Sequence, residues 1–240
     1  QSDPTEATAK IIDKYSTVEA YHSFFFENLG NSAWIFRLHN IGFFYKPPDP
    51  IEVNPGGFRV PDWPAGNYLV RFADQYEDLI VDVVKGIQTE NWRVQEILVD
   101  AMLKISPVKA AELIPVIDTW LSGRFSNLLP HKLTFLADFF LDNGLVDATV
   151  QVLEYVITPV LSSTQRQSTH RSAVCFRSHH YWVEEYCKKQ LSKLIHLKPV
   201  SIVLAFDRQI KKTIELTKHV EPENAELWVG YYWRMDIPNR

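Results

Sequence analysis

The residues best suited to chemistry in this chain lie in one stretch, where His170, Cys175, His179, His180 and Cys187 bring imidazoles together with both cysteines of the sequence. Imidazole and thiolate are the side chains that Zn²⁺ prefers, and four of them, His170, Cys175, His179 and Cys187, would suffice for a tetrahedral site. Their spacing departs from the compact zinc patterns: there is no C-x₂-C pair, and Cys187 falls within a predicted helix. The same stretch suggests an enzyme using the His/Cys cluster at 170–187, with Cys175 as a thiolate nucleophile and His179 one turn away as its base if the segment is helical. No third group is in place to orient that base.

Other chemistries find less. NPGGFRVP offers a glycine pair but no G-x-x-x-x-G-K-[ST], and no strand precedes it. G-x-S-x-G, H-E-x-x-H and H-x-E…P-C-x-x-C are absent from the sequence. Asp74, Glu77, Asp78, Asp82, Glu184 and Glu185 sit near helix starts or on exposed faces, where carboxylates complement the helix dipole. The sequence therefore reads as non-catalytic, with no metal and no cofactor.

Charge is segregated. Residues 1–158 carry 12 basic against 21 acidic side chains, a net −9, whereas residues 159–220 carry 11 against 4, a net +7; the whole chain is −4. Arg171, Arg177, Lys188, Lys189, Lys193, Lys211 and Lys212 make a basic face within residues 166–218 that suits a phosphate backbone, so nucleic-acid binding is the main alternative function. Against it, YWVEEYCKKQLSKLI places Trp182, Tyr186, Leu191 and Leu194 on one side of a helix and its lysines mostly on the other, which is ordinary amphipathicity. Opposite charge at the two ends also permits head-to-tail self-association.

The elements that must position these residues read as helices. The 3.6 period supports a helix over 5–29, broken near Ser16–Thr17, a short one over 32–41, and then helices over 64–76, 78–87, 91–105, 107–121, 129–142 and 145–158. Ser106-Pro107 and Pro130 mark starts, while Gly86 and Asn143-Gly144 mark stops. SIVLAFD at 201–207 has strand-like composition but continues with helical spacing through Val203, Phe206, Ile210 and Ile214. PVLSSTQRQSTH at 159–170 is rich in hydroxyls and reads as a mobile loop or subdomain boundary.

Gly42 to Gly66 holds six of the 14 prolines and four of the 9 glycines. Phe43, Phe44, Phe58 and Trp63 would anchor it as an ordered flap over the first helix pair, leaving Tyr45 to Pro55 as an exposed tip. Tyr45, Phe58, Arg59 and Trp63 are the expected partner-binding residues.

Three segments share a pattern: DLIVDVV at 78–84, ELIPVID at 112–118 and DATVQVL at 147–153 begin 34 and then 35 residues apart. Val94, Ile97, Ala101 and Ile105 fall 36 residues before Pro130, Leu133, Ala137 and Leu141. On these residues, and best over 64–158, the chain resembles the HEAT/armadillo-like α-solenoid class; tetratricopeptide arrays share the period. The resemblance implies an all-α fold, a right-handed superhelix of antiparallel helix pairs with about 10 helices in all. Residues 1–158 form its acidic repeat region with an N-terminal helical cap and the flap, and residues 159–240 its basic continuation.

With 46% apolar, 22% charged and 13% aromatic residues, the chain has the makings of a large core. Two cysteines suit a reducing, cytoplasmic setting. No run of eighteen apolar residues and no leader pattern occur, so a soluble protein without a membrane association is expected. The chain begins at Gln1 and has methionine only at 102 and 235, which suggests a module of a larger protein. The expected function is a non-catalytic helical-repeat scaffold for protein–protein interaction, with a partner whose identity the sequence does not give.

Overall fold

The computed structural model describes residues 4–15, 19–123, 129–162, 173–176 and 181–218. Among them are twelve α-helices: α1 (Glu6–Tyr15), α2 (Glu19–Asn28), α3 (Ala33–Asn40), α4 (Pro64–Arg71), α5 (Glu77–Gly86), α6 (Trp92–Met102), α7 (Pro107–Ala111), α8 (Ile114–Trp120), α9 (Pro130–Asp142), α10 (Val146–Ile157), α11 (Tyr181–Leu194) and α12 (Pro199–Thr217). Two short hairpins accompany them, β1 (Ile51–Asn54) with β2 (Gly57–Arg59), and β3 (Pro159–Ser162) with β4 (Ala173–Phe176), both antiparallel. The fold is mostly helical, as the periodicity implies.

Local chemistry explains most boundaries. Proline opens α4, α7 and α9, where its missing N–H is no loss. Asn91 caps α6 by accepting from the Arg93 and Val94 amides. Gly144 ends α9 at φ +74°, a left-handed conformation that L side chains avoid; its amide donates to Leu141 O and that of Leu145 to Phe140 O.

The structure corrects several boundaries. The helix expected over 107–121 is two, α7 and α8, because Pro115 has no N–H for the Ala111 carbonyl and its ring crowds the preceding turn. The helix expected over 64–76 stops at Arg71 and is followed by a 3₁₀ turn at Ala73–Gln75. Part of the expected mobile loop at 159–170 is a strand, since Pro159–Ser162 pairs with Ala173–Phe176 in the register Pro159↔Phe176 to Ser162↔Ala173. The stretch 201–207 is helical, within α12.

The helices pack in two rows. α2 packs on α4, α4 on α6, α6 on α9 and α9 on α11; in the other row α5 packs on α7, α8 on α10 and α10 on α12. The α5–α6 and α9–α10 pairs bridge the rows. Some positions related by the sequence spacing are buried alike, Ile80, Ile114 and Thr149, then Val83, Ile117 and Val152 in the second row, and Ala101 and Ala137 in the first, whereas Val84, Asp118 and Leu153 are not. One continuous core runs from Phe26, Leu38 and Phe44 through Leu69, Leu98 and Leu133 to Leu194. Each such fully buried side chain contributes about 1.5–3 kcal/mol of transfer free energy.

Candidate docking site under the flap

The long Pro/Gly segment is ordered by its anchors. Phe43 and Phe44 are buried, with the Phe43 ring 5.5 Å from that of Phe26, and Trp63 is only 2% exposed. Between the anchors the chain makes the β1–β2 hairpin, whose β1 residues are all exposed. A single side chain joins the two arms. Asn91, fully buried, donates from Nδ2 to the carbonyls of Pro48 (2.7 Å) and Pro61 (2.9 Å), while its Oδ1 caps α6. All four hydrogen-bonding positions of that side-chain amide are thus taken by backbone.

Thr89 continues the joint. Its hydroxyl donates to Asp49 Oδ1 (3.2 Å) and accepts from the Asn91 amide (3.0 Å), and its carbonyl accepts from Gln95 Nε2 (2.7 Å). Arg93 pairs with Asp62 on the second arm and lies against the Trp92 ring. On the far side the Tyr45 hydroxyl donates to Asp82 Oδ2 (2.5 Å), and His39 Nε2 lies 2.9 Å from both. Burial and then the Asp82 hydrogen bond push the Tyr45 phenol up to about 12; in return the Tyr45 and His39 contacts hold the Asp82 carboxyl below its usual range. Gly86 permits this packing, because any Cβ there would collide with the Tyr45 ring.

Among the described residues, the flap, the α5–α6 connection and the end of α8 border an open cavity of about 630 Å³. Asp49, Pro50 and Phe58 line it from the flap, Gln88, Thr89 and Glu90 from the connection, and Thr119, Trp120, Ser122 and Gly123 from the end of α8. Its size falls within the range of ligand pockets, and its lining sets two aromatic rings, Phe58 and Trp120, among mostly polar side chains. Trp120 is 3% exposed, and its indole Nε1 has no hydrogen-bond partner among the described residues.

Of the four residues expected to meet a partner, Phe58 alone lines this cavity. Trp63 is instead core, and Tyr45 is turned inward onto Asp82, because an aromatic anchor between prolines has more apolar surface to bury on the body than at a tip. Arg59 is exposed on β2. The flap also reaches beyond the first helix pair, since its arms are fastened to the start of α6. Asp49, Glu90, Thr119, Trp120 and Ser122 carried no sequence signal that would have selected them.

Of the residues considered for zinc or nucleophilic chemistry, Cys175 and Cys187 fall among the described residues. Cys187 is buried on the core face of α11 beside Val183 and Leu191. Cys175 lies on β4 and not in a helix, so the one-turn spacing to His179 does not apply. His170, His179, His180, Arg171 and Arg177 lie outside the described residues. Among the described residues no group of three or more His, Cys, Asp or Glu side chains is placed to hold a metal ion. No helix of the described residues is long and apolar enough to cross a membrane.

Several cations of the basic C-terminal region face carboxylates. Arg208 forms a fork on Glu154 (Nε to Oε1 2.7 Å, a terminal nitrogen to Oε2 2.6 Å), Lys198 meets Asp147 (2.9 Å), Lys211 meets Asp207 (2.7 Å) and Lys188 meets Glu185 (3.6 Å). Lys189, Lys193 and Lys212 are exposed. The acidic α10 thus balances part of the positive charge seen in the sequence.

Comparison with protein-family models, with curated proteins and with solved structures gives no match for this chain.

Proposed function

We propose that this chain is a non-catalytic interaction module of stacked helix pairs, and that it docks an extended segment of a partner protein in the cavity under the flap. The observation that carries the reading is the cavity itself: about 630 Å³, walled by three separate chain segments and fixed on one side by the buried Asn91 clamp. A rigidly held rim lowers the ordering cost of binding. The two helix rows, with some residues at the 34- and 35-residue spacings buried alike, support the stacked-pair architecture, and the HEAT-like superhelix is the arrangement we infer from it. Nucleic-acid binding is less favoured, because four cations of the basic region, Lys188 and Lys211 of the named face among them, sit within 4 Å of carboxylates.

The test is panning a displayed random-peptide library against the whole chain. Thr119→Trp and Ser122→Trp, both at exposed positions, fill the cavity mouth. Selected peptides should bind the wild type and lose binding to both variants while thermal melting is unchanged. Peptides that bind the variants as well as the wild type would place docking elsewhere and overturn the reading.

A further inference from the structure

α12 is apolar on two sides. Ile202 and Ala205 are buried where the helix packs on α10, as an amphipathic helix requires. The opposite side carries Val200, Val203, Leu204, Ile210 and Ile214, which are 71%, 60%, 49%, 44% and 55% exposed. Their spacing by threes, fours and sevens keeps them in one stripe about 21 Å long at 1.5 Å per residue. A helix with apolar residues all round is normally a buried helix, and the outer helix of a stack normally turns a polar face to water. A contiguous apolar stripe of this kind marks a surface that another chain covers. None of these residues lines the flap cavity, so the stripe stands apart from the docking reading.

The charges within the stripe select its occupant. Asp207 and Lys211 lie one turn apart in its middle, paired at 2.7 Å within the helix, with Asp207 47% and Lys211 73% exposed. Apolar residues lie on either side of them along the axis: Val200, Val203 and Leu204 toward the start of α12, Ile214 toward its end. The order apolar, acid, base, apolar becomes apolar, base, acid, apolar when the helix is reversed, so an antiparallel copy sets opposite charges against each other and apolar residues against apolar ones. We propose that α12 pairs antiparallel with α12 of a second copy of this chain, about a two-fold axis near residue 209. Asp207 of each copy then faces Lys211 of the other, and Leu204 lies over the turn from Ile210 to Ile214. An unrelated apolar segment would cover the valines but leave both charges beneath it without new partners, whereas a second copy supplies a counter-charge to each. A two-fold contact is closed, so association stops at the dimer.

Sedimentation equilibrium on the whole chain tests the pairing, with thermal melting as the control for folding. The wild type should pass from monomer to dimer with a micromolar dissociation constant, the range expected of a small one-helix interface. Val203→Glu and Ile210→Glu, both at exposed positions, should each weaken the dimer by about 30-fold or more without changing the melting of the monomer. Asp207→Lys alone and Lys211→Asp alone should each weaken it by about 10-fold, because each sets like charges face to face. An equimolar mixture of those two variants should recover association to within about 3-fold of the wild type, since every lysine of one copy then faces an aspartate of the other. A mixture that fails to recover would overturn the antiparallel pairing, and a dimer indifferent to Val203→Glu would place the contact elsewhere and overturn it too. A wild type that stays monomeric up to about 0.5 mM would also overturn it. In that case a melting temperature lowered by Val203→Glu would mean that the chain covers the stripe itself, and an unchanged one that a different protein does.

Discussion

At the flap, Asn91 is fully buried, neutral and bonded entirely to backbone. At the seam between α10 and α12, the Lys198 side chain is 45% exposed and meets Asp147, 66% exposed, at 2.9 Å. Both contacts tie together chain segments far apart in sequence. Their energetics differ in kind. Losing the buried amide leaves two prolyl carbonyls without their partner, whose penalty is insensitive to salt; losing the exposed ion pair returns two charges to water, where they are well solvated and already screened. The flap is therefore held by what its removal would leave unpaired, whereas the C-terminal seam depends on apolar burial through Val152, Val156, Ile202 and Ala205, with its ion pairs secondary.

The largest expected effect follows from the clamp. Asn91→Ala should destabilise the chain by about 2–4 kcal/mol, combining a lost helix cap with two unsatisfied carbonyls. Denaturant melts should show the same loss at low and high salt, and limited proteolysis should open residues 46–62 first. A loss that shrinks with salt would mean the flap is held electrostatically after all. Next, Gly86→Ala should cost about 1–3 kcal/mol by driving the Tyr45 ring off Asp82, although alanine is otherwise the better helix residue by about 1 kcal/mol. A stabilised variant would show that the ring has room to move.

Tyr45→Phe should cost about 1 kcal/mol at neutral pH, the net worth of one hydrogen bond. Its pH dependence carries more information. The folded state holds the Tyr45 proton up to about 12, so this contribution is fully present below the ordinary tyrosine value near 10 and is lost as pH rises through about 12. Over that window the wild type should lose stability more steeply than the variant. Asp82 runs the other way: its lowered carboxyl adds stability above its ordinary value, and that is lost as pH falls through the folded value, so the variant should also show a shallower acid arm. Parallel curves at both ends would dissolve the proposed Tyr45–Asp82 coupling.

The smallest effect belongs to the seam. Lys198→Met should cost less than about 1 kcal/mol and nearly nothing in about 1 M salt. A large, salt-independent loss would erase the contrast with Asn91.

The helices were legible because their chemistry is local. Apolar residues recur at the helical period, and Ser106-Pro107, Pro130 and Asn143-Gly144 punctuate them within a few residues of the observed ends. The hairpins were not. β1 is exposed along its whole length, so burial imposes no alternation on Ile51 to Asn54, and β3 and β4 are separated by more chain than either contains. Pro115 was visible but read as an interior proline of one helix, whereas it starts a new one. For the cavity, Phe58 stood out as an aromatic in a loop rich in proline. Thr119, Ser122 and Glu90 did not, since a small hydroxyl or an acid near a helix end is common, and only packing brings those three segments together. The double role of Asn91 was equally hidden: its partners lie 43 and 30 residues away, and neither is a side chain.

The grip on Pro48 and Pro61 makes the flap a detachable cassette. The ends are fixed by one residue that belongs to α6, so the tip around Pro55-Gly56 can be exchanged or lengthened without disturbing the joint, and each doubling of its length costs only about 0.6 kcal/mol of closure entropy. Evolution or a protein engineer can therefore graft new sequence onto the flap while the body that supports it stays the same.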